Sequence, residues 1–164
     1  MLALIIITFG ILSRTIVHTP NFTPVLSMAF LGGMYLRGRQ AVLVPLALMV
    51  VSDVILGLYP LVFLTWISIA LISVLGLWLK EQKSLANVVG GSIASAVIFF
   101  IVSNISPWLT LYPHTVHGLQ QCYTLAIPFF RSTLVSSVAY SLVFYAGYEW
   151  LVKRAQGTAL ARLV

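Results

Sequence analysis

The sequence predicts an all-α membrane protein, a compact bundle of six transmembrane helices with both termini cytoplasmic. Three observations lead there. Only 7% of the residues are charged while 60% are hydrophobic, whereas a soluble domain carries about 25% charged residues because its surface must face water. A chain this oily must turn its outer surface to lipid, where every backbone polar group has to be satisfied internally and helices are the natural solution. The apolar residues gather into runs, and at roughly 20 residues per crossing a 164-residue chain has room for a bundle and no separate soluble domain. Finally, seven of the nine Lys and Arg residues fall in alternate connections and the tail, as crossings in opposite directions require.

The runs and their boundaries follow in order. Residues 1–17 are apolar, broken only by Arg14, and lack both a basic start and a small-x-small cleavage site, so they read as a retained helix. His18-Thr19-Pro20-Asn21-Phe22-Thr23-Pro24 interrupts it, since two prolines and an asparagine oppose a continuous helix. Residues 25–36 form a second run, short for a full crossing and marked by Gly32-Gly33, so it is expected to tilt or to borrow length from its flanks. Arg37-Gly38-Arg39 precedes the third run at 41–58, which carries Pro45 and Ser52-Asp53. A Tyr59-Pro60 turn leads into 61–79, and Lys80-Glu81-Gln82-Lys83 separates that run from 84–106, whose Gly90, Gly91, Ala94 and Ser95 give it a small face for helix packing. The stretch 104–131 reads as a loop and the entrance to the last span at 125–152, after which Lys153-Arg154 opens a polar tail. All 164 residues thus form one transmembrane domain.

Arg37, Arg39, Lys80, Lys83, Lys153, Arg154 and Arg162 fall in alternate connections and the tail, which the positive-inside rule assigns to the cytoplasm. Depth then sorts the polar residues. Arg14, Asp53, Asn104 and Arg131 come near the outer ends of their helices, with Asn21, Trp108, His114, His117 and Cys122 in or beside the outer connections. Trp108 and Tyr112 fit an amphipathic lid, while Trp78, Tyr148 and Trp150 fit the inner aromatic belt of any helical membrane protein.

Asn21-Phe22-Thr23-Pro24 with Gly32-Gly33, Ser52-Asp53-x-x-Leu56-Gly57, Tyr112-Pro113, Cys122-Tyr123 and Pro128-Phe129-Phe130-Arg131-x-Thr133 together resemble a family of small bacterial membrane proteins of unknown function. Its six helices and outward pocket look similar to the substrate-binding S components of energy-coupling-factor vitamin transporters. That resemblance implies docking on energy-coupling subunits. S components often dock through Ala-x-x-x-Ala in the first helix, and this first helix has none.

Candidate chemistry concentrates in the outer half. Arg14, Asn21, Asp53, Asn104, Trp108 and Arg131 are the candidate ligand-binding residues. A charge at membrane depth costs several kcal/mol unless it is paired or faces water, and the equal depth of Asp53 and Arg131 suggests a pair fastening the third helix to the sixth, or a ligand contact. With Arg14 the cluster would be net positive and suited to a carboxylate-bearing ligand. His114-x-x-His117 with Cys122 offers imidazole and thiolate ligands for a metal or a corrinoid cobalt. Asp53 is the only carboxylate in the cluster and no nucleophile-base, zinc-protease or phosphate-loop motif is present, so an enzyme is not expected and no cofactor is called for. The scattered cations form no basic stripe, which argues against nucleic acid.

The reading is therefore a substrate-binding membrane subunit of a small-solute uptake transporter, for a vitamin-like or metal-related solute, in a bacterial inner (cytoplasmic) membrane. Its pocket would open to the outer face, and its partners would be the lipid bilayer, a small molecule and energy-coupling subunits. The alternative is a structural or interaction protein that stabilises a membrane complex.

Overall fold

The structure, a computed structural model, describes Arg14 and residues 21–155. Every regular element among them is helical: α1 (Val25–Tyr35), α2 (Gln40–Leu56), α3 (Phe63–Trp78), α4 (Leu85–Ser103), α5 (Ile105–Leu111) and α6 (Val116–Ala155). Helices stand where the second to fifth apolar runs lie, with small shifts at their ends. The first, at 1–17, lies outside the described residues apart from Arg14. Leu85–Leu111 and Val116–Arg154 are long and apolar enough to cross a membrane, and α1, α2 and α3 are shorter apolar helices.

Local chemistry explains the boundaries. Gly57, at φ 107°, adopts a backbone that side chains resist and ends α2. Ser84 caps α4 by accepting from the Asn87 amide. Thr115 does the same for α6, accepting from the Gly118 amide at 3.1 Å.

An apolar core around Phe30, Met34, Leu48, Ile69 and Ile72 is accompanied by buried serines and by an outer surface that is itself apolar. Ser27, Ser52, Ser68, Ser73, Ser92 and Ser95 are fully buried, whereas Leu43, Ile55, Val74, Trp78, Val135 and Val143 are each more than half exposed. The buried hydroxyls do not compete for water. Ser73 donates to the Ile69 carbonyl, Ser92 to Val88 and Ser95 to Gly91, each one turn back along its own helix. Small hydroxyl and glycine residues at the helix contacts, with large apolar side chains on the outer surface as well as in the core, is the pattern helices adopt when lipid is the solvent. The molecule is a membrane protein on this ground.

At the centre lies α1, whose residues from Val25 to Met34 are all buried. It crosses α3 so closely that a Cβ on Gly33 would meet the Ser73 carbonyl oxygen at 2.1 Å, and one on Gly76 would meet the Phe30 carbonyl oxygen at 2.0 Å. On α4, Gly91 leaves room for the Phe30 ring, which a Cβ would strike at 2.2 Å. The small face expected on this helix thus does pack inside, through Gly91 and Ser95, while Gly90 faces outward. On the remaining side Pro45 of α2 approaches Gly32, with 3.1 Å between its Cγ and the ideal Cβ position.

Burial also explains why α1 is short. Its 11 residues span about 16 Å at the α-helical rise, roughly half the hydrocarbon thickness. A helix shielded on every side has no lipid contact to dictate its length, so neither the expected tilt nor flanking extension is needed. Ser27 Oγ donates to the Ser137 carbonyl at 2.8 Å and Ser137 Oγ to the Ser92 carbonyl at 3.0 Å, which fixes the level at which α1 begins. Beyond that level α4 continues for about 16 Å and α6 for about 30 Å. The central helix therefore starts well short of the far ends of α4 and α6, while α2 and α3 pass it by only about one turn.

Residues 104–131 are mostly helical, contrary to the expected loop. Asn104 interrupts the helix only locally, α5 follows at once, and α6 starts at Val116. Two residues that commonly interrupt helices are accommodated here. Gly118 is needed because the turn brings the Pro113 carbonyl oxygen to 2.1 Å from where its Cβ would stand, and Pro128 is accommodated within α6. The two arms then pair about the turn: Tyr123 donates to the Ile101 carbonyl at 2.6 Å, and Phe100 packs edge-on against Tyr123 and beside Phe130.

The basic connections meet at one end, called here the basic end. Lys83 sits 4.6 Å from the Tyr35 ring centroid, the Tyr35 and Tyr148 rings lie 4.2 Å apart, and Tyr145 donates to the Lys83 carbonyl. At the far end Ser106 donates to the Pro60 carbonyl at 2.7 Å.

The α1–α3 crossing yields a clear prediction. Gly33→Leu and Gly76→Val each destabilise the protein by about 3 kcal/mol or more, since backbone atoms cannot yield as a side chain would. Gly90→Ala, where a Cβ meets nothing within 4 Å, changes stability by less than about 1 kcal/mol. Unfolding of the three variants in detergent measures the contrast.

Candidate functional site

The far half of the bundle holds the buried charge. Asp53, near the C-terminal end of α2, has a side chain only 1% exposed, and its Oδ1 receives a 2.7 Å ion pair from Arg14, itself 17% exposed. Its other oxygen accepts from Trp66 Nε1 of α3 at 2.8 Å. Arg14 also donates to Ser52 Oγ and approaches the Met49 sulfur at 3.2 Å, while Ser52 Oγ donates to the Met49 carbonyl. Both carboxylate oxygens are thereby engaged. The group is closed and electrically neutral, as a charge in a low-dielectric interior must be to persist. Beside it Tyr59, whose hydroxyl donates to Thr65 Oγ1 at 2.7 Å, has its phenol pushed above the ordinary range, chiefly by burial.

This corrects the expected pairing of Asp53 with Arg131. Arg131 is exposed, with no ion pair among the described residues. On α6 it lies about 100° round from Phe130, which meets Phe100 of α4, and about 140° from Ser136, which bonds the Asn21 carbonyl. It turns away from both neighbours. The net-positive cluster of three charges is likewise replaced by a neutral pair, with the third charge elsewhere.

The remaining candidates fall in separate places. Asn21 has an exposed side chain and φ 58°, and its carbonyl accepts from Ser136 Oγ at 3.3 Å, fastening the chain ahead of α1 to α6. Asn104 turns its amide back to the Phe100 carbonyl. Trp108 lies in α5 and not in an irregular lid; its ring stands edge-on to His114, and its Nε1 is buried with no hydrogen-bond partner among the described residues.

Of the metal candidates, His114 Nε2 lies 2.9 Å from the Leu109 carbonyl, His117 is exposed, and Cys122 is buried with its Sγ 3.6 Å from the Asn104 carbonyl. No group of three potential ligands converges among the described residues. The helix is the reason. His117 and Cys122 are five residues apart, about 140° round α6, so Cys122 packs inward where His117 points out. His18 lies outside the described residues.

Two contributors escaped the sequence reading. Trp66 carried a usable signal: in an antiparallel helix pair, residues equidistant from the turn share a level, and Asp53 and Trp66 are symmetric about Tyr59-Pro60. Phe129 carried none. It shares the face of Ser136 and Tyr140 on α6, where Asn21 and Phe22 pack, but lies two turns farther on and is 49% exposed.

The sequence comparisons bear on this arrangement through its whole length. A sequence model of a family of unknown function, DUF6580, matches residues 1–160. The chain belongs to that family. Membership agrees with the resemblance carried by the Asn21-Phe22-Thr23-Pro24 and Pro128-Phe129-Phe130-Arg131 segments, and it spans α1 to α6 with the Asp53 cluster included. No curated protein and no solved structure matches the chain.

The Asp53 cluster can be tested as a unit. Arg14→Met or Asp53→Leu alone leaves a buried charge unpaired and costs about 3–5 kcal/mol. The double variant recovers at least half of that loss, and Arg131→Gln stays within about 0.5 kcal/mol. A double-mutant cycle of unfolding free energies checks all three.

Proposed function

We propose that this membrane protein binds a small solute in the far half of its bundle and serves as the substrate-recognition subunit of an uptake transporter. The half-length α1 carries the proposal. Among the described residues, α4 and α6 continue past the first turn of this buried helix, and the Arg14–Asp53–Trp66 group of α2 and α3 stands toward the same end. Broken and half-length helices near mid-membrane are a recurrent way of building solute sites. The Asp53 cluster then supplies a fixed polar wall from α2 and α3, and Phe129 an exposed aromatic one from α6.

Ligand chemistry follows from the helix end. Val25, Leu26 and Ser27 are buried, and no side chain among the described residues caps α1 there, so amide donors and the positive end of the helix dipole face the far half. A solute with carboxylate or carbonyl acceptors suits that end, and the neutral Arg14–Asp53 pair no longer argues for a charge of either sign. The vitamin-like or metal-related solute class and the energy-coupling partners rest on the likeness to S components, whereas the six crossings and cytoplasmic termini rest on the apolar runs and the alternation of basic connections, and the inner-membrane location on the resemblance to small bacterial membrane proteins. The proposal is for a binding protein and not an enzyme.

One observation favours a second reading. The Arg14–Asp53–Trp66–Ser52 group is satisfied from within, as it would be in a protein whose task is to stabilise a membrane complex.

Thermal unfolding of the purified protein against a panel of vitamins, metal chelates and small carboxylic acids separates the readings. Binding predicts that at least one compound raises the melting temperature, and that Phe129→Trp, which fills space beside an already exposed ring, removes the rise while preserving the unliganded melt. If no compound acts and a single protein co-purifies stoichiometrically, the structural reading replaces it.

A further inference from the structure

The far-end half of α6 carries a second feature outside the proposed solute site. His117, Gln120, Thr124 and Arg131 are all exposed, and at about 100° per residue they fall within about 60° of one another round the helix. This stripe turns away from α4, which Phe130 and Tyr123 face, and from the Asn21 segment, which Ser136 faces. Flanking it are Ile127 and Val135, 42% and 59% exposed. A polar line therefore runs down an apolar, outward-facing surface.

Depth makes the line informative. Tyr123 is level with Ile101, near the C-terminal end of α4, so Arg131 lies about 12 Å inside that level. A cation there is costly unless it reaches an anion or the interface. Helical side chains lean toward the N-terminus, so the guanidinium rises about one turn, toward Thr124, with Gln120 one further turn above. No other cation among the described residues shares this surface; Arg14, at the same end, is held by Asp53.

We propose that this stripe is a binding site for an anionic phospholipid of the leaflet at the far end. Arg131 receives the phosphate, with Thr124 and Gln120 hydrogen-bonding the polar headgroup, and Val135, one turn deeper than Arg131, lies against the acyl chains. Charge complementarity chooses the occupant: one guanidinium below two neutral hydrogen-bonding groups matches a single phosphodiester carrying a hydroxylated headgroup. A partner helix would instead have to bring a carboxylate to the same depth.

The test reconstitutes the full chain in nanodiscs of phosphatidylcholine containing a small fraction of phosphatidylglycerol, and reads by native mass spectrometry the lipid that stays bound. Wild type is expected to retain phosphatidylglycerol over phosphatidylcholine by about tenfold, the equivalent of one charge-assisted contact. Arg131→Gln abolishes the preference, Arg131→Lys keeps part of it, and Thr124→Val lowers it with the charge intact. Equal retention in wild type, or an Arg131→Gln variant as selective as wild type, overturns the site. So does photo-crosslinking from position 135 that captures a protein in place of lipid.

Discussion

The contact between α1 and α3 at Gly33 and Gly76 determines more of this structure than any charged interaction. Each glycine admits a backbone carbonyl oxygen where a side chain would otherwise begin, at 2.1 and 2.0 Å from the ideal Cβ positions. Only that proximity lets α1 sink wholly into the bundle, with Phe30 seated over Gly91 of α4. In lipid, where apolar surface gains little by leaving its solvent, such close backbone packing is the main source of helix association. Serine hydroxyls extend the same economy of space. Ser27, Ser92 and Ser137 join α1, α4 and α6 through side chains of minimal volume.

Once α1 is buried on all sides, its length is released from the thickness of the membrane. Its brevity then sets the two halves of the bundle apart. The half toward the basic end is filled by α1 and closed by tyrosines around Lys83. The far half is bordered by longer helices and by the Arg14–Asp53–Trp66 group, whose satisfied hydrogen bonds make it a rigid wall. That rigidity is compatible with both a scaffold and a binding surface, since a site that must recognise a solute benefits from polar groups already held in place.

The helices were legible because lipid imposes a simple rule on composition, and interruptions such as Arg37-Gly38-Arg39 and Lys80-Glu81-Gln82-Lys83 are unmistakable. Contacts were less so. Depth alone made Arg131 a partner for Asp53, but azimuth decides contact, and Arg131 faces away while Arg14 reaches in. Symmetry about Tyr59-Pro60 would have identified Trp66. The stretch 104–131 read as a loop, yet a tight turn at Pro113 requires Gly118 and the long α6 carries Pro128 within it. Nothing in the sequence foretold the exposure of Phe129, which follows from where α1 ends.

The central claim is that the far half of the bundle opens to water on the face of α6 that includes Phe129. Cys122 is the only cysteine, so its replacement by serine gives a background for single-cysteine labelling in intact membranes. Phe129→Cys in that background should react with a membrane-impermeant thiol reagent from the far side and be slowed by a bound solute, while Val135→Cys, facing lipid, should remain unreactive. A Phe129→Cys as inert as Val135→Cys would contradict the account.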